Sequence, residues 1–100
     1  MFARVSTYQG PPELIDEGIR IAEEQILPQA RQLDGFKGVY ALVDRQSGKQ
    51  LTITLWESEE AMRASEQAAN RLRSEDAEAA GATVLSVERF EVVLSSEQQS

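Results

Sequence analysis

Arg4 stands inside an apolar opening run, between Ala3 and Val5 in Phe2-Ala3-Arg4-Val5-Ser6-Thr7-Tyr8. A charge at such a position is costly unless it is paired or liganded. Arg4 is therefore a candidate holder of a phenolate or carboxylate. The competing reading is a salt bridge to Glu88 or Glu91, or to a second subunit. Trp56 lies just before an acidic helix start, and its indole either anchors the core or walls a ligand cleft. Tyr8 and Tyr40 offer hydroxyl donors, although a buried tyrosine commonly just needs a partner for its hydroxyl. Glu23, Glu24, Glu59, Glu60, Glu75 and Glu78 read as solvated helix faces. None stands alone within an apolar stripe, as a tuned catalytic acid often does.

Composition removes whole classes of chemistry. The 100 residues include no histidine and no cysteine. That excludes disulfides, thiolate nucleophiles, zinc–thiolate sites, imidazole bases and histidine ligands for zinc or haem. Seventeen acidic against ten basic residues give a net charge of −7, which disfavours nucleic-acid backbones. The tightest basic cluster, Arg71-Leu72-Arg73, reads as a helix face. We find no tight acidic metal loop, G-x-S-x-G elbow, glycine-rich phosphate loop or dinucleotide fingerprint. No run of roughly 18 apolar residues is long enough to span a membrane. The N-terminus lacks a secretory pattern, so a cytoplasmic location is expected.

The elements that must position these groups follow from local pattern. Residues 2–8 read as a strand ended by Gly10-Pro11-Pro12. Ile15, Ile19, Ala22, Ile26, Ala30 and Leu33 form one helical stripe. Pro28 cannot donate to the Glu24 carbonyl, so a kink or break is expected there. Gly18 on this helix suggests close helix–sheet approach or room for a ligand. Gly35 suits a left-handed helix cap. Residues 36–44 and 51–56 read as a hairpin around Gln46-Ser47-Gly48-Lys49. Ser58 is a helix N-cap, and the Ala- and Glu-rich helix after it runs to about Ala80, with Gly81 as its stop. Residues 83–94 read as the last strand, with Met62 and Phe90 expected in the core. One domain over 1–94 is expected, with a polar, disordered tail over 95–100.

The order β-α-β-β-α-β is the ferredoxin-like α+β arrangement: a four-stranded antiparallel sheet with both helices on one face. The second strand is apolar on both faces, and the fourth nearly so. The bare sheet face then forms an apolar patch best covered by a second sheet, giving a homodimer. The alternative is a monomer whose outer face is softened by Arg4, Thr52 and Thr54.

Over residues 1–93 the sequence resembles the dimeric α+β barrel superfamily, and most closely its antibiotic-biosynthesis-monooxygenase-like (ABM) branch. The resemblance rests on three blocks: Phe2-Ala3-Arg4-Val5-Ser6-Thr7, Asp34-Gly35-Phe36-Lys37-Gly38, and the segment from Leu51 through Trp56-Glu57-Ser58 to Met62. It implies a homodimeric barrel with helices outside and a ligand cleft between helices and sheet in each subunit. Activities in the superfamily include cofactor-free oxygenation of polycyclic phenols, haem degradation, lactone isomerisation and quinol oxidation. Haem degradation in relatives requires a helix histidine and a first-strand asparagine. This chain has no histidine, Ser6 stands near the asparagine position, and Asn70 is its only asparagine.

Cofactor-free oxygenation needs an apolar pocket, an oxyanion partner and aromatic walls. Arg4, Tyr8, Tyr40 and Trp56 are the candidates for lining such a cleft, with Ser6 and Arg89 behind them. The resemblance thus implies a small apolar or aromatic ligand and no cofactor. The contrasting expectation is a non-catalytic interaction module whose space is filled by Ile15, Ile19 and Met62. A cavity of a few hundred cubic ångströms separates the two.

Overall fold

The computed structural model describes residues 1–96. The tail expected over 95–100 therefore lies, from residue 97 onward, outside the described residues. The elements are β1 (Phe2–Gln9), a 3₁₀ turn (Pro12–Leu14), α1 (Ile15–Ile21), a π segment (Ala22–Ile26) and α2 (Leu27–Ala30). β2 (Phe36–Val43), β3 (Lys49–Trp56), α3 (Glu59–Ala64), α4 (Glu66–Ala79) and β4 (Thr83–Glu91) follow. The strands form one four-stranded sheet in the order β2-β3-β1-β4, all neighbours antiparallel. This is the ferredoxin-like α+β architecture.

Local chemistry explains the boundaries. Pro28 perturbs the first helical segment as expected, but the disturbance takes the form of a π turn. The Leu27 N–H reaches back five residues to the Ala22 carbonyl. The Gln25 carbonyl accepts instead from the Gln29 side-chain amide at 2.7 Å. The second helical stretch is not continuous either. Ser58 caps it, its Oγ accepting from the Ala61 N–H at 3.1 Å. It then breaks at Ser65, where ψ opens to 0°, before α4 begins. Gly81 ends the stretch with φ +62°, and β4 stops at Glu91 rather than 94. At the hairpin, the Asp44 carboxylate accepts from the Gln46 N–H at 3.0 Å, and Gly48 takes φ +83°.

The register decides which way each side chain points. Arg4 lies opposite Thr54 and Arg89, Ser6 opposite Thr52 and Val87, and Tyr8 opposite Gln50 and Val84. This row faces the helices. The alternate row pairs Ala3 with Leu55 and Phe90, and Val5 with Ile53. On β2, Tyr40 lies opposite Ile53 and Leu42 opposite Leu51. The sheet is thus inverted relative to an ordinary two-layer domain: its polar row lies under the helices and its apolar row faces away. Arg4, Thr52 and Thr54 do not soften the outer face, because all three belong to the inner one. Phe90, expected in the core, is instead half exposed on the outer face, as are Tyr40 and Leu42.

The helices meet each other through small residues. A Cβ on Gly18 would lie 2.9 Å from the Ala80 Cβ, so Gly18 marks a helix–helix approach rather than the helix–sheet approach expected. Ile15, Met62, Leu72 and Trp56 are buried, with Ile15 at 0% exposure.

Candidate functional site

Between the helices and the inner sheet face lies a cavity of about 200 Å³. Its floor includes Arg4, Ser6 and Tyr8 from β1, and Gln50, Thr52 and Trp56 from β3. Val39 and Ala41 of β2 extend it. Its roof is largely apolar, with Ile19 and Ala22, Ile26 and Leu27, and Ala69 and Leu72 of α4, interrupted by Glu23, Arg73 and Asp76. The space between Ile19 and the sheet is open, not filled.

Arg4 is the most constrained group in the cavity wall, only 2% exposed. Its Nη2 donates to the Met62 carbonyl at 2.6 Å, to Ser65 Oγ at 3.1 Å and to Glu66 Oε2 at 2.9 Å. The helix break at Ser65 gathers these three acceptors at one point. The ion-pair partner is therefore Glu66, a helix residue, and neither Glu88 nor Glu91. Glu88 lies opposite Val5 and so belongs to the outer row. The Arg4 guanidinium also stands over the Trp56 ring, 5.2 Å from its centroid, a cation–π contact. Its Nε and Nη1 are buried and find no acceptor among the described residues. An arginine holds its N–H donors in a fixed planar fork. Here one prong is tied to the protein, and the other two nitrogens are enclosed without a partner in a side chain that borders the cavity. Burying such donors unpaired is costly.

Trp56 is 1% exposed and packs edge-on against Phe36, with ring centroids 5.6 Å apart. Its Nε1 donates to Thr54 Oγ1 at 3.0 Å. The indole is both core anchor and cavity wall, and it meets the cavity with carbon rather than with its N–H. Ser6 is buried on the floor, and its Oγ accepts from Arg73 Nε at 3.1 Å. Tyr8 is buried beside it. Burial first, then the Asp76 charge, raise the Tyr8 hydroxyl above its ordinary pKa, while Thr52, Arg73 and Ser6 oppose the shift.

Two expected residues are not in the cavity wall. Tyr40 lies on the outer face, 54% exposed, because residues 39 and 41 take the inward positions of β2. Arg89 shares Arg4's face but sits on edge strand β4, outside the cavity wall. It donates from Nε and Nη2 to the two oxygens of Glu66, at 2.8 and 2.7 Å. With Arg4 on the same carboxylate, Glu66 is clasped by two guanidiniums. The Arg89 hydrogen bonds, then Arg4, lower its pKa to about 2 against the opposing effect of burial.

Sequence reasoning missed Glu66, Arg73, Gln50 and Asp76. Asp76 lines the cavity, and burial raises its pKa to about 6. A signal for it existed: Ser65, Ala68, Leu72 and Asp76 continue one helical stripe at steps of three and four. Asp76 is the acid standing in an apolar stripe that the glutamates are not. Among the described residues no cluster of three or more acidic side chains is placed to hold a metal ion, and no helix is long and apolar enough to cross a membrane.

No family model matches the sequence. Over 92 residues the chain is 39% identical to uncharacterized protein Rv2557 of Mycobacterium tuberculosis (strain H37Rv), covering 92% of this chain and 41% of that protein. Over 65 residues it is 42% identical to uncharacterized protein Rv2558 of the same strain, covering 65% of this chain and 28% of that one. The chain thus spans less than half the length of these relatives. Among solved structures, it is similar to the monooxygenase from ActVA-Orf6 of Streptomyces coelicolor in complex with the ligand nanaomycin D. The TM-score is 0.68 at 18% identity, with 95% of this chain and 92% of that one covered. It is also similar to SnoaB, a cofactor-independent oxygenase from Streptomyces nogalater, with TM-score 0.62, 15% identity and 97% of each chain covered. The chain therefore has the ABM-like fold of the antibiotic biosynthesis monooxygenases, as its sequence blocks imply.

Proposed function

We propose that this ABM-like domain binds a small, largely apolar or aromatic metabolite in the cleft between helices and sheet, and oxygenates it without a cofactor. The observation that carries this reading is Arg4: a fully buried guanidinium with Nε and Nη1 unpartnered on the wall of an apolar cavity. A phenolate or quinol anion fits there, its oxygen taking the free N–H donors and its ring lying against Trp56. Such an anion reacts with dioxygen at a ring carbon. One oxygen atom enters the ring as a new carbonyl, and the other leaves as water. The substrate supplies the electrons, so phenol plus dioxygen gives quinone plus water. Arg4 steadies the negative oxygen before and during attack. The cofactor-independent oxygenase SnoaB shares the fold and supports the reading by analogy of architecture.

The same proposal makes the protein a homodimer. Tyr40, Leu42, Ile53, Leu55 and Phe90 form an apolar outer face that a single subunit leaves open. A second sheet packed on it gives the two-fold barrel.

Native mass spectrometry of protein purified gently from its own host tests both parts. The expected result is a dimer carrying one small adduct per subunit, lost in Arg4→Met. A monomer overturns the barrel. An empty dimer that also fails to bind added naphthols or consume oxygen with them overturns the ligand reading in favour of a non-catalytic module.

A further inference from the structure

The cleft has two polar ends, and the oxygenase reading uses only one. Arg4 and Trp56 mark the first. Tyr8 lies further along β1, roughly 13 Å from Arg4 at the strand rise. Above it, Asp76 lies ten residues beyond Glu66 on α4, roughly 15 Å along the helix axis. The roof between the two ends is apolar, built from Ile19, Ile26 and Leu72.

The second end has an unused acceptor and an unused donor. The Asp76 carboxylate has no hydrogen bond or ion pair among the described residues. Arg73, the nearest cation on its own helix, turns away to Ser6 Oγ at 3.1 Å and Asn70 Oδ1 at 2.6 Å. Gln50 Nε2 is buried and finds no acceptor. Gln50 lies opposite Tyr8 in the β1–β3 register, and Tyr8 is the group that feels the Asp76 charge. All three line the cavity. A hydroxyl is the smallest group that donates one hydrogen bond and accepts another.

We propose that Asp76 and Gln50 form a hydroxyl-recognition site, so that the cleft selects elongated aromatic molecules with an anionic or carbonyl oxygen at one end and a hydroxyl at the other. The hydroxyl donates to Asp76 and accepts from Gln50 Nε2, while the far oxygen takes the free donors of Arg4. This rests on the cleft being a ligand site, and it adds a rule of selection that the Arg4 end alone does not supply. It also assigns Asp76 its reason for standing in an apolar stripe: its carboxylate is left for the ligand. The other titratable or charged groups around the cavity are Arg4 and Tyr8 from β1, Glu23 from the π segment and Arg73 from α4. β2 and β3 contribute no charge to it.

Fluorescence titration with 6-hydroxy-2-naphthoate and 2-naphthoate tests this. Both carry the carboxylate for Arg4, and only the first carries the distal hydroxyl. We expect the hydroxylated probe to bind about tenfold more tightly at pH 7.5, as a hydrogen bond to a charged group allows. Asp76→Ala is expected to erase that preference and leave 2-naphthoate unchanged, whereas Arg4→Met weakens both. The preference should grow as pH rises through about 6, where Asp76 ionises, and stay flat in Asp76→Asn. Equal binding of the two probes, or equal losses for both in Asp76→Ala, overturns the hydroxyl site while leaving the cleft reading standing. Failure of both probes to bind the unaltered protein overturns the cleft reading and this inference together.

Discussion

Arg4 on the first strand and Glu66 at the start of α4 are joined across the helix–sheet interface at 2.9 Å, and Arg89 holds the other side of the same carboxylate at 2.7 Å. One acid therefore ties two strands to one helix. It neutralises the tied end of the Arg4 fork, while Nε and Nη1 stay buried without a partner among the described residues.

This clasp sets an acid-stability prediction. The folded-state pKa of Glu66 is depressed to about 2 by Arg89 and Arg4. A depressed carboxyl contributes stability that is fully present above its unfolded value near 4.5 and is lost as pH falls through about 2. Glu66→Gln should melt well below the unaltered protein at pH 7, and the two should converge near pH 2. Thermal melts across that range check it. Parallel curves would remove the clasp from the stability argument.

Asp76 carries the opposite sign. Its folded-state pKa is raised from 3.8 to about 6 by burial. The folded state then binds a proton more tightly than the unfolded state, so stability falls as pH rises between those values and levels off above. Asp76→Asn should stabilise the ligand-free protein at pH 7 by about 1–2 kcal/mol after allowance for solvent screening, and change little near pH 3. Denaturant titration at the two pH values gives the difference directly.

Arg4→Met separates stability from function. It removes a buried cation whose Nε and Nη1 are unpaired, and methionine fills much of the same space. Glu66 keeps Arg89, so no buried carboxylate is stranded. Unfolding free energy should fall by less than the roughly 3–5 kcal/mol that removing one partner of a fully buried pair costs, because Glu66 is partly exposed and retains Arg89. Binding of carboxylate or phenolate probes should drop at least tenfold. A large loss of stability with intact binding would make Arg4 a structural group.

Gly18→Ala tests the helix–helix contact. Alanine favours helix by about 1 kcal/mol over glycine. The new Cβ, however, meets the Ala80 Cβ at 2.9 Å and its backbone Cα at 3.3 Å, and backbone cannot swing aside. Overpacking should win, destabilising the protein by about 1–2 kcal/mol. Chemical denaturation decides the sign.

Ile53→Glu tests the outer face. Ile53 sits between Val5 and Tyr40 in the middle of the apolar row. A glutamate there leaves the cavity side untouched and puts a charge where the second sheet is proposed to pack. Light scattering should show a shift from dimer toward monomer at micromolar concentration, with far-UV circular dichroism unchanged. A variant that keeps the dimer places the interface elsewhere.

Much of the architecture was legible residue by residue. Gly81 ended a helix, Ser58 began one, and the turn before Lys49 joined two strands into a hairpin, whereas Gly35, expected as a helix cap, takes φ +81° in the turn before β2 because the helix has already ended at Ala30. These features depend on neighbours a few positions away, so a linear reading captures them. The break at Ser65 was not legible, because nothing local demands it. Ala61 to Ala79 is good helix sequence, and the stretch opens where Arg4 arrives from a strand 61 residues away to take Met62, Ser65 and Glu66. Tyr40 was misplaced for a similar reason. β2 is apolar on both faces, so its alternation does not say which residues turn inward.

The sequence alone determined the order of elements, the absence of thiol and imidazole chemistry, and the tension of a charge embedded in an apolar strand. Those follow from residue type and short-range spacing. Only the tertiary structure decided how the tension is resolved. In β1 both alternate rows, Phe2-Arg4-Ser6-Tyr8 and Ala3-Val5-Thr7, are mixed, so hydrophobic pattern does not choose between them. The helices, packed on one face, made the polar row the inner one. That choice turned scattered residues, Arg4, Tyr8, Gln50 and Asp76, into the walls of one cavity, and it left the apolar row facing outward. A strand's register is a contact between distant segments, and it is register that converts these residue types into a site.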